Sequence, residues 1–259
     1  RSAVYSGKSA ADVDTDKQHQ AVALVAHTEN WTAADLEALP LDGFEMYNLH
    51  ANAIRGAGAA LDLIGKLTKA PEELPYSDLV FLPLFSEDPA YIDTWGSVLA
   101  SGAEAVTTMA TDCHRNSFPQ ILPDGERIDS YRRMMMWFSN HLLVRPDGSG
   151  GFGDRELKDA LRERRLYGAF EVIGFPVGFD FHAESGGNVI EMGGEAQLSG
   201  GVDLVAALPQ VENLDAKATP PEITLRLLQA KPGGWDLIDE ASAPLKHSVS
   251  AAGAYRVEV

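Results

Sequence analysis

Four times in the first half of the chain a short apolar run ends in a polar tip and gives way to a helix-like segment; the runs lie at 21–26, 44–48, 79–85 and 106–110. That rhythm is the rhythm of βα units, whose strands pair in parallel because the intervening segment carries the chain back to the same end. A parallel sheet is covered on both faces, so its strands read as continuous apolar runs. Residues that follow the C-terminal ends of such strands gather along one edge, where α/β proteins place their binding and catalytic groups.

The tips carry the chemistry. Val106 to Ala110 lead into Thr111-Asp112-Cys113-His114-Arg115-Asn116. Read as extended backbone, Asp112 and His114 project to one face and Cys113 to the other. A hard oxygen donor beside an imidazole nitrogen is a usable pair for a divalent metal. Ala21 to Ala26 end at His27, and the helix expected at 33–39 has its own start signal in Thr32 and Asp35, so it does not need His27 as a cap. In the run 44–48, Glu45 and Tyr47 are expected on one face, with Asn48 and His50 at its exit. Helices are expected at 51–69 and 93–100, and residues 1–20 read as a polar, irregular lead-in.

Composition narrows the function classes. With 259 residues, 45% of them hydrophobic, the chain can bury a sizeable core. A formal net charge of −17 and the lack of a basic stripe exclude a nucleic-acid backbone as partner. No run approaches the roughly 18 apolar residues of a membrane helix, so a soluble protein without a membrane partner is expected. A single cysteine allows no internal disulfide and leaves a periplasmic, secreted or cytoplasmic location open. Neither a Gly-rich phosphate loop nor a serine nucleophile elbow is present.

Further along, 127–138 reads as helix, 139–144 as extended and 147–153 as a glycine-rich loop. Asp154 is expected to cap a helix at 155–164, and 166–173 to form a strand. From Gly178 the pattern changes to short alternating runs punctuated by Gly and Pro, as in a β-sandwich. The division is expected between 185 and 196, giving an α/β part at 1–190 and a β-sandwich-like domain at 191–259.

Taken together, these motifs resemble the PHP (polymerase and histidinol phosphatase) superfamily of metal-dependent hydrolases, in particular its carbaryl-hydrolase-like branch. Val25-Ala26-His27 is similar to a strand–His metal motif of that family, Gly43-Phe44-Glu45-Met46-Tyr47-Asn48 to the strand after it, and Ala110 to Asn116 to its last metal motif. The stretches 157–170, 179–183, 192–195 and 253–259 resemble the end of the barrel and the appended β-domain. The resemblance implies the C-terminal part of a distorted (β/α)7 barrel, with two or three divalent ions (Mn, Zn or Fe) at the strand ends. It implies hydrolysis of a phosphoester, or a related carbamate, ester or amide bond, in a small-molecule substrate by a metal-bound hydroxide. His27, Asp112 and His114 are then the metal ligands. Arg115 would clamp an anionic group and Asn48 would orient substrate, both as catalytic residues, with Glu45 and His50 supporting the ligands from behind. The family's opening His-x-His motif has no counterpart here, so the missing ligands lie on another chain, in an omitted segment, or nowhere.

The remaining histidines have plainer expectations. His141 reads as a core histidine, His182 as structural or exposed, His247 as part of the β-module, and Met134 to Phe138 as core packing. The competing functional class is a non-catalytic carbohydrate- or protein-binding module on a degenerate barrel.

Overall fold

The computed structural model describes residues 9–69, 76–115 and 118–259, and shows a mixed α/β protein with a β-rich C-terminal part. A helix, α1 (Ala10–Gln18), precedes β1 (Leu24–Val25), correcting the irregular lead-in expected there; none of its residues is buried. Then come α2 (Ala33–Glu37), β2 (Gly43–Asn48), α3 (Leu49–Arg55), α4 (Ala57–Lys69), α5 (Pro89–Ala100) and β3 (Val106–Ala110). β1, β2 and β3 form a parallel sheet in that order. Asp42 ties its start together. Its backbone N–H donates to the Ala23 carbonyl at 2.9 Å, its carboxylate accepts from the Ala23 N–H at 2.7 Å, and its carbonyl accepts from the Val106 N–H at 2.9 Å.

Helix α2 begins as its sequence dictates, with Thr32 and Asp35 forming a reciprocal capping box. The long helix expected at 51–69 breaks at Gly56, whose N–H closes α3 on the Asn52 carbonyl at 2.7 Å. The strand expected at 79–85 does not form: Ser77–Leu79 and Leu82–Leu84 are 3-10 turns. Pro83 fixes φ and offers no ladder donor, while Val80, Phe81 and Leu84 still reach the core. The parallel sheet therefore has three strands, and the described strands close no barrel.

One face of this sheet meets Leu36 and Val98 around Phe44. The other meets the largest apolar cluster, which includes Tyr47, Met109, Phe81, Ile128, Trp137 and Phe138. Each such side chain, fully buried, contributes about 1.5–3 kcal/mol. Buried Arg133 holds the covering segment down by pairing with Asp78 and Asp124, and the Trp137 indole N–H donates to the Asp78 carbonyl at 3.0 Å. The helix expected at 127–138 is only α6 (Tyr131–Met135), started by a Ser130 cap, because Arg127 pairs with Ile121 as a β-bridge.

β4 (Ser139–Leu142) and β5 (Leu166–Ala169) form a separate antiparallel pair. Between them lies α7 (Asp154–Arg162), whose cap position is Gly153 rather than Asp154, with the Glu156 carboxylate accepting from the Gly153 N–H at 2.9 Å. β5 stops at Ala169, short of the expected 173, because 170–174 turn back on themselves. Next come β6 (Phe175–Val177), β7 (Asp180–Ser185), β8 (Asn188–Glu191), β9 (Asp203–Ala207) and β10 (Gln210–Glu212). The last strands are β11 (Leu225–Lys231), β12 (Gly234–Ala241), β13 (Leu245–Ser248) and β14 (Tyr255–Glu258). All pair antiparallel, in a four-stranded sheet of order β13-β9-β7-β8, a three-stranded sheet β12-β11-β14 and the pair β10-β6. The two larger sheets share one apolar core around Leu204, Ala206, Leu225, Leu227 and Leu245. No helix among the described residues is long and apolar enough to cross a membrane.

The β11–β12 hairpin sits on α5. The Trp235 indole N–H donates to the Ile92 carbonyl at 2.9 Å, and the Gly233 N–H donates to the Ser97 hydroxyl at 3.0 Å. Arg256 lies over both Trp95 and Trp235, at 4.8 and 4.4 Å from the ring centres. A Cβ on Gly96 would lie 2.0 Å from the Gly234 carbonyl oxygen. Gly96→Ala is therefore expected to destabilise the protein by about 3 kcal/mol, the upper end for atoms forced into a packed interior. Gly65→Ala, inside α4 with open space around a new Cβ, should instead stabilise it by about 0.5–1 kcal/mol. Urea denaturation of both variants checks the pair; equal midpoints would contradict the α5–hairpin contact.

Candidate metal centre

Because β1, β2 and β3 are parallel, the segments after their C-terminal ends share one edge of the sheet. His27 follows β1, His50 opens α3 after β2, and Asp112 and His114 follow β3. Three imidazoles converge there on one carboxylate oxygen. Asp112 Oδ2 lies 2.6 Å from His50 Nδ1, 3.3 Å from His27 Nε2 and 3.4 Å from His114 Nε2. The His50 and His114 rings meet edge to face with centres 5.0 Å apart.

Asp112 and His114 meet by a different route from the one expected. Asp112 has φ +51°, so the backbone there is left-handed and the alternation of an extended strand does not apply. His27 is left-handed too, at φ 56°, ψ 63°. Such a conformation costs a non-glycine residue roughly 1–2 kcal/mol, and it turns both side chains toward the common point. Cys113, between the ligand candidates, packs against the large apolar cluster, where burial pushes its thiol pKa up.

His27 is held from three sides. Its N–H donates to Glu45 Oε2 at 2.9 Å, and its Nδ1 is 3.0 Å from Glu29 Oε1. Thr28, directly after it, donates its hydroxyl to the Glu45 carbonyl at 2.8 Å. The ring caps no helix. The second oxygen of Glu29 accepts from the hydroxyl of Tyr91, a buried residue of α5. Burial and the adjacent Glu29 charge push the Tyr91 phenol far above its ordinary pKa, so it remains a donor.

Glu45 and Tyr47 do not share a face. The β2–β3 register slips between them, so Glu45 pairs with Thr108 and Tyr47 with Met109, which are successive residues of β3. This bulge at Met46 sends Tyr47 into the core and leaves Glu45 under the His27 turn. Asn48 is fully buried; its amide donates to Glu45 Oε2 at 3.0 Å, and its oxygen caps α3 through the Ala51 N–H at 3.0 Å. It thus braces Glu45 and the start of the His50 helix. Arg115 is exposed in the turn after His114, and its carbonyl accepts from Arg127 at 3.4 Å. Asn116 lies outside the described residues. Of the other histidines, His141 pairs with Glu171, His182 with Asp180 and His247 with Asp239, while His19 meets the Thr15 carbonyl at 2.8 Å.

The donor set fits a divalent ion. One ligand atom each from His50, Asp112 and His114 lie within 4.8 Å of one another, the one such group among the described residues. Two imidazoles and a carboxylate are donor types that divalent-metal sites use. His27 stands beside them with its second nitrogen on a carboxylate, as metal-bound histidines normally do. His50 lies among the nitrogen donors themselves rather than behind them, and Glu29 and Tyr91 join the group as residues the sequence pattern does not single out. Glu29 had a weak signal, an acid two residues from a histidine; Tyr91, 62 residues away from Glu29, had none. Beside the group opens an apolar cleft lined by Leu49, Ala53, Phe81, Leu84, Phe118 and Trp137.

Burial alone would raise the Asp112 pKa, but the hydrogen bond with His50 and the charges of the three rings hold it below the ordinary range. Burial likewise opposes a charged His27 ring, yet Glu29 first, and then Asp112 and Glu45, lift its pKa above the ordinary 6.5. A histidine raised in the folded state lends stability that is fully present below its unfolded pKa and fades as pH rises through the folded value. In metal-free protein the His27 resonance is accordingly expected to titrate above 6.5, and Glu29→Gln to bring it down. An NMR pH titration reads both, and a His27 value at or below 6.5 in the unmodified protein would contradict the Glu29 contact.

No protein-family model, curated protein or solved structure matches this chain, so the reading of this group rests on its own geometry.

Proposed function

We propose that the chain is a metal-dependent hydrolase acting on a phosphoester or a related carbamate, ester or amide bond of a small molecule. The observation that carries this reading is the convergence of His27, His50 and His114 on Asp112 at the C-terminal edge of the parallel sheet. His50, Asp112 and His114 would hold one divalent ion, and His27 Nε2, aimed at the same carboxylate oxygen, would add a further nitrogen donor; nitrogen and carboxylate donors suit Zn, Mn and Fe alike. When bound, such an ion supplies Lewis acidity and lowers the pKa of a water to about 7.

The chain's own residues do the rest. Asp112 orients the three rings, and Glu45 fixes the His27 backbone from below. Apolar residues such as Leu49, Phe81 and Trp137 flank the group on one side, and Arg115, exposed directly after His114, would offer positive charge to an anionic oxygen. The resemblance to the PHP superfamily points to the same chemistry. It implies two or three ions, and the described residues offer one donor group, so the proposal is for one ion per chain unless a further chain or segment adds ligands.

Metal analysis of protein purified without added metal tests this, together with turnover of p-nitrophenyl phosphates, carbamates and esters in Mn²⁺. About one ion per chain is expected, lost in Asp112→Asn and His50→Ala, with turnover abolished by a chelator and at least about 100-fold lower in either variant. A metal content unchanged in both variants, or no turnover on any substrate class, would overturn the hydrolase reading and favour a binding module.

A further inference from the structure

We propose that Tyr91 and Glu29 form a positioning relay that orients the His27 ring toward Asp112, and so couples the metal group to helix α5. The inference rests on the hydrolase reading above and assigns work to two residues that do not touch the ligand point themselves.

The geometry runs in one line. The Tyr91 hydroxyl donates to one oxygen of Glu29, the other oxygen of Glu29 meets His27 Nδ1 at 3.0 Å, and His27 Nε2 lies 3.3 Å from Asp112 Oδ2. A ring with Nδ1 on a carboxylate carries its proton there and presents Nε2 as the lone-pair donor. Glu29 stands in a single 3-10 turn, Thr28–Asn30, and the His27 ring is 43% exposed. Neither surrounding would hold a side chain still. Tyr91 is the rigid end of the line: it is 2% exposed and lies in the first turn of α5. That turn is fixed by Pro89 and by the Asp88 cap, whose carboxylate accepts from the Ala90 N–H at 2.9 Å and pairs with Arg55.

Helix α5 is itself anchored on its other side. The Gly96–Gly234 contact, the Trp235 and Gly233 hydrogen bonds and the Arg256 sandwich seat it on the β11–β12 hairpin. The ring of an exposed histidine is thereby referred, through two side chains, to one of the most tightly packed helices of the protein. Functional groups hold a productive geometry when such supporting shells are rigid.

Cobalt binding tests the relay without any turnover assay. Co²⁺ titrations followed by calorimetry and by the visible d–d absorption would compare the unmodified protein with Tyr91→Phe, Glu29→Ala, Glu29→Gln, His27→Ala and the Tyr91→Phe/His27→Ala double variant. Tyr91→Phe and Glu29→Ala are expected to weaken Co²⁺ binding about 10-fold or more and to change the absorption band. Glu29→Gln, which keeps an acceptor for the Nδ1 proton, should restore part of the affinity. In the His27→Ala background Tyr91→Phe should have no further effect, because it acts through that ring. A general loss of folding would lower affinity in both backgrounds, and so would overturn the relay. Unchanged affinity and spectrum in Tyr91→Phe and Glu29→Ala, with binding lost in His50→Ala, would also overturn it and leave the hydrolase reading standing. Absence of Co²⁺ binding in the unmodified protein would remove both.

Discussion

A Cβ on Gly43 would fall 1.9 Å from the carbonyl oxygen of Val106, so β2 and β3 pair where they do only because that side chain is missing. From this close start the two strands run in parallel with β1 alongside, all three tied by Asp42. Parallel pairing decides what can meet. Segments far apart in sequence leave the sheet at one edge, and the rings of residues 27, 50 and 114 arrive within 3.4 Å of the Asp112 carboxylate. Local structure then trims the aim. Left-handed backbone at His27 and Asp112, and a bulge at Met46, turn side chains that regular strands would have pointed elsewhere.

The electrostatics at this edge favour positive charge. A partly buried carboxylate faces three imidazoles, and two more acids, Glu29 and Glu45, stand behind one of them. Burial disfavours the Asp112 charge, and the rings outweigh it. A divalent ion would take over what the rings do now, satisfying the carboxylate and leaving each imidazole neutral with its lone pair engaged.

Much of this was legible in the residue pattern, and the failures have physical causes. The alternation 44–48, the capping residues Thr32 and Asp35, and the short strands after Gly178 were read from period and turn chemistry, and they stand as elements. His27, Asp112 and His114 stand at strand ends in the residue pattern, and the structure brings them together. The run 79–85 failed because apolar content says only that residues are buried; Pro83 decides that they are buried as turns. Glu45 and Tyr47 parted because a bulge leaves no mark in a two-residue period. The position of His50 depends on where α3 begins, which the Asn48 cap sets and a residue pattern does not show. Tyr91 lay beyond reach, since its partner is joined to it only through the tertiary fold.

Helix α5 faces two ways. Its first turn presents a phenol to the strand edge, and its middle lies against the backbone of the β11–β12 hairpin with no room even for a methyl group. A contact without slack transmits displacement rather than absorbing it. The C-terminal sheets and the histidine group thus share one mechanical reference in this helix.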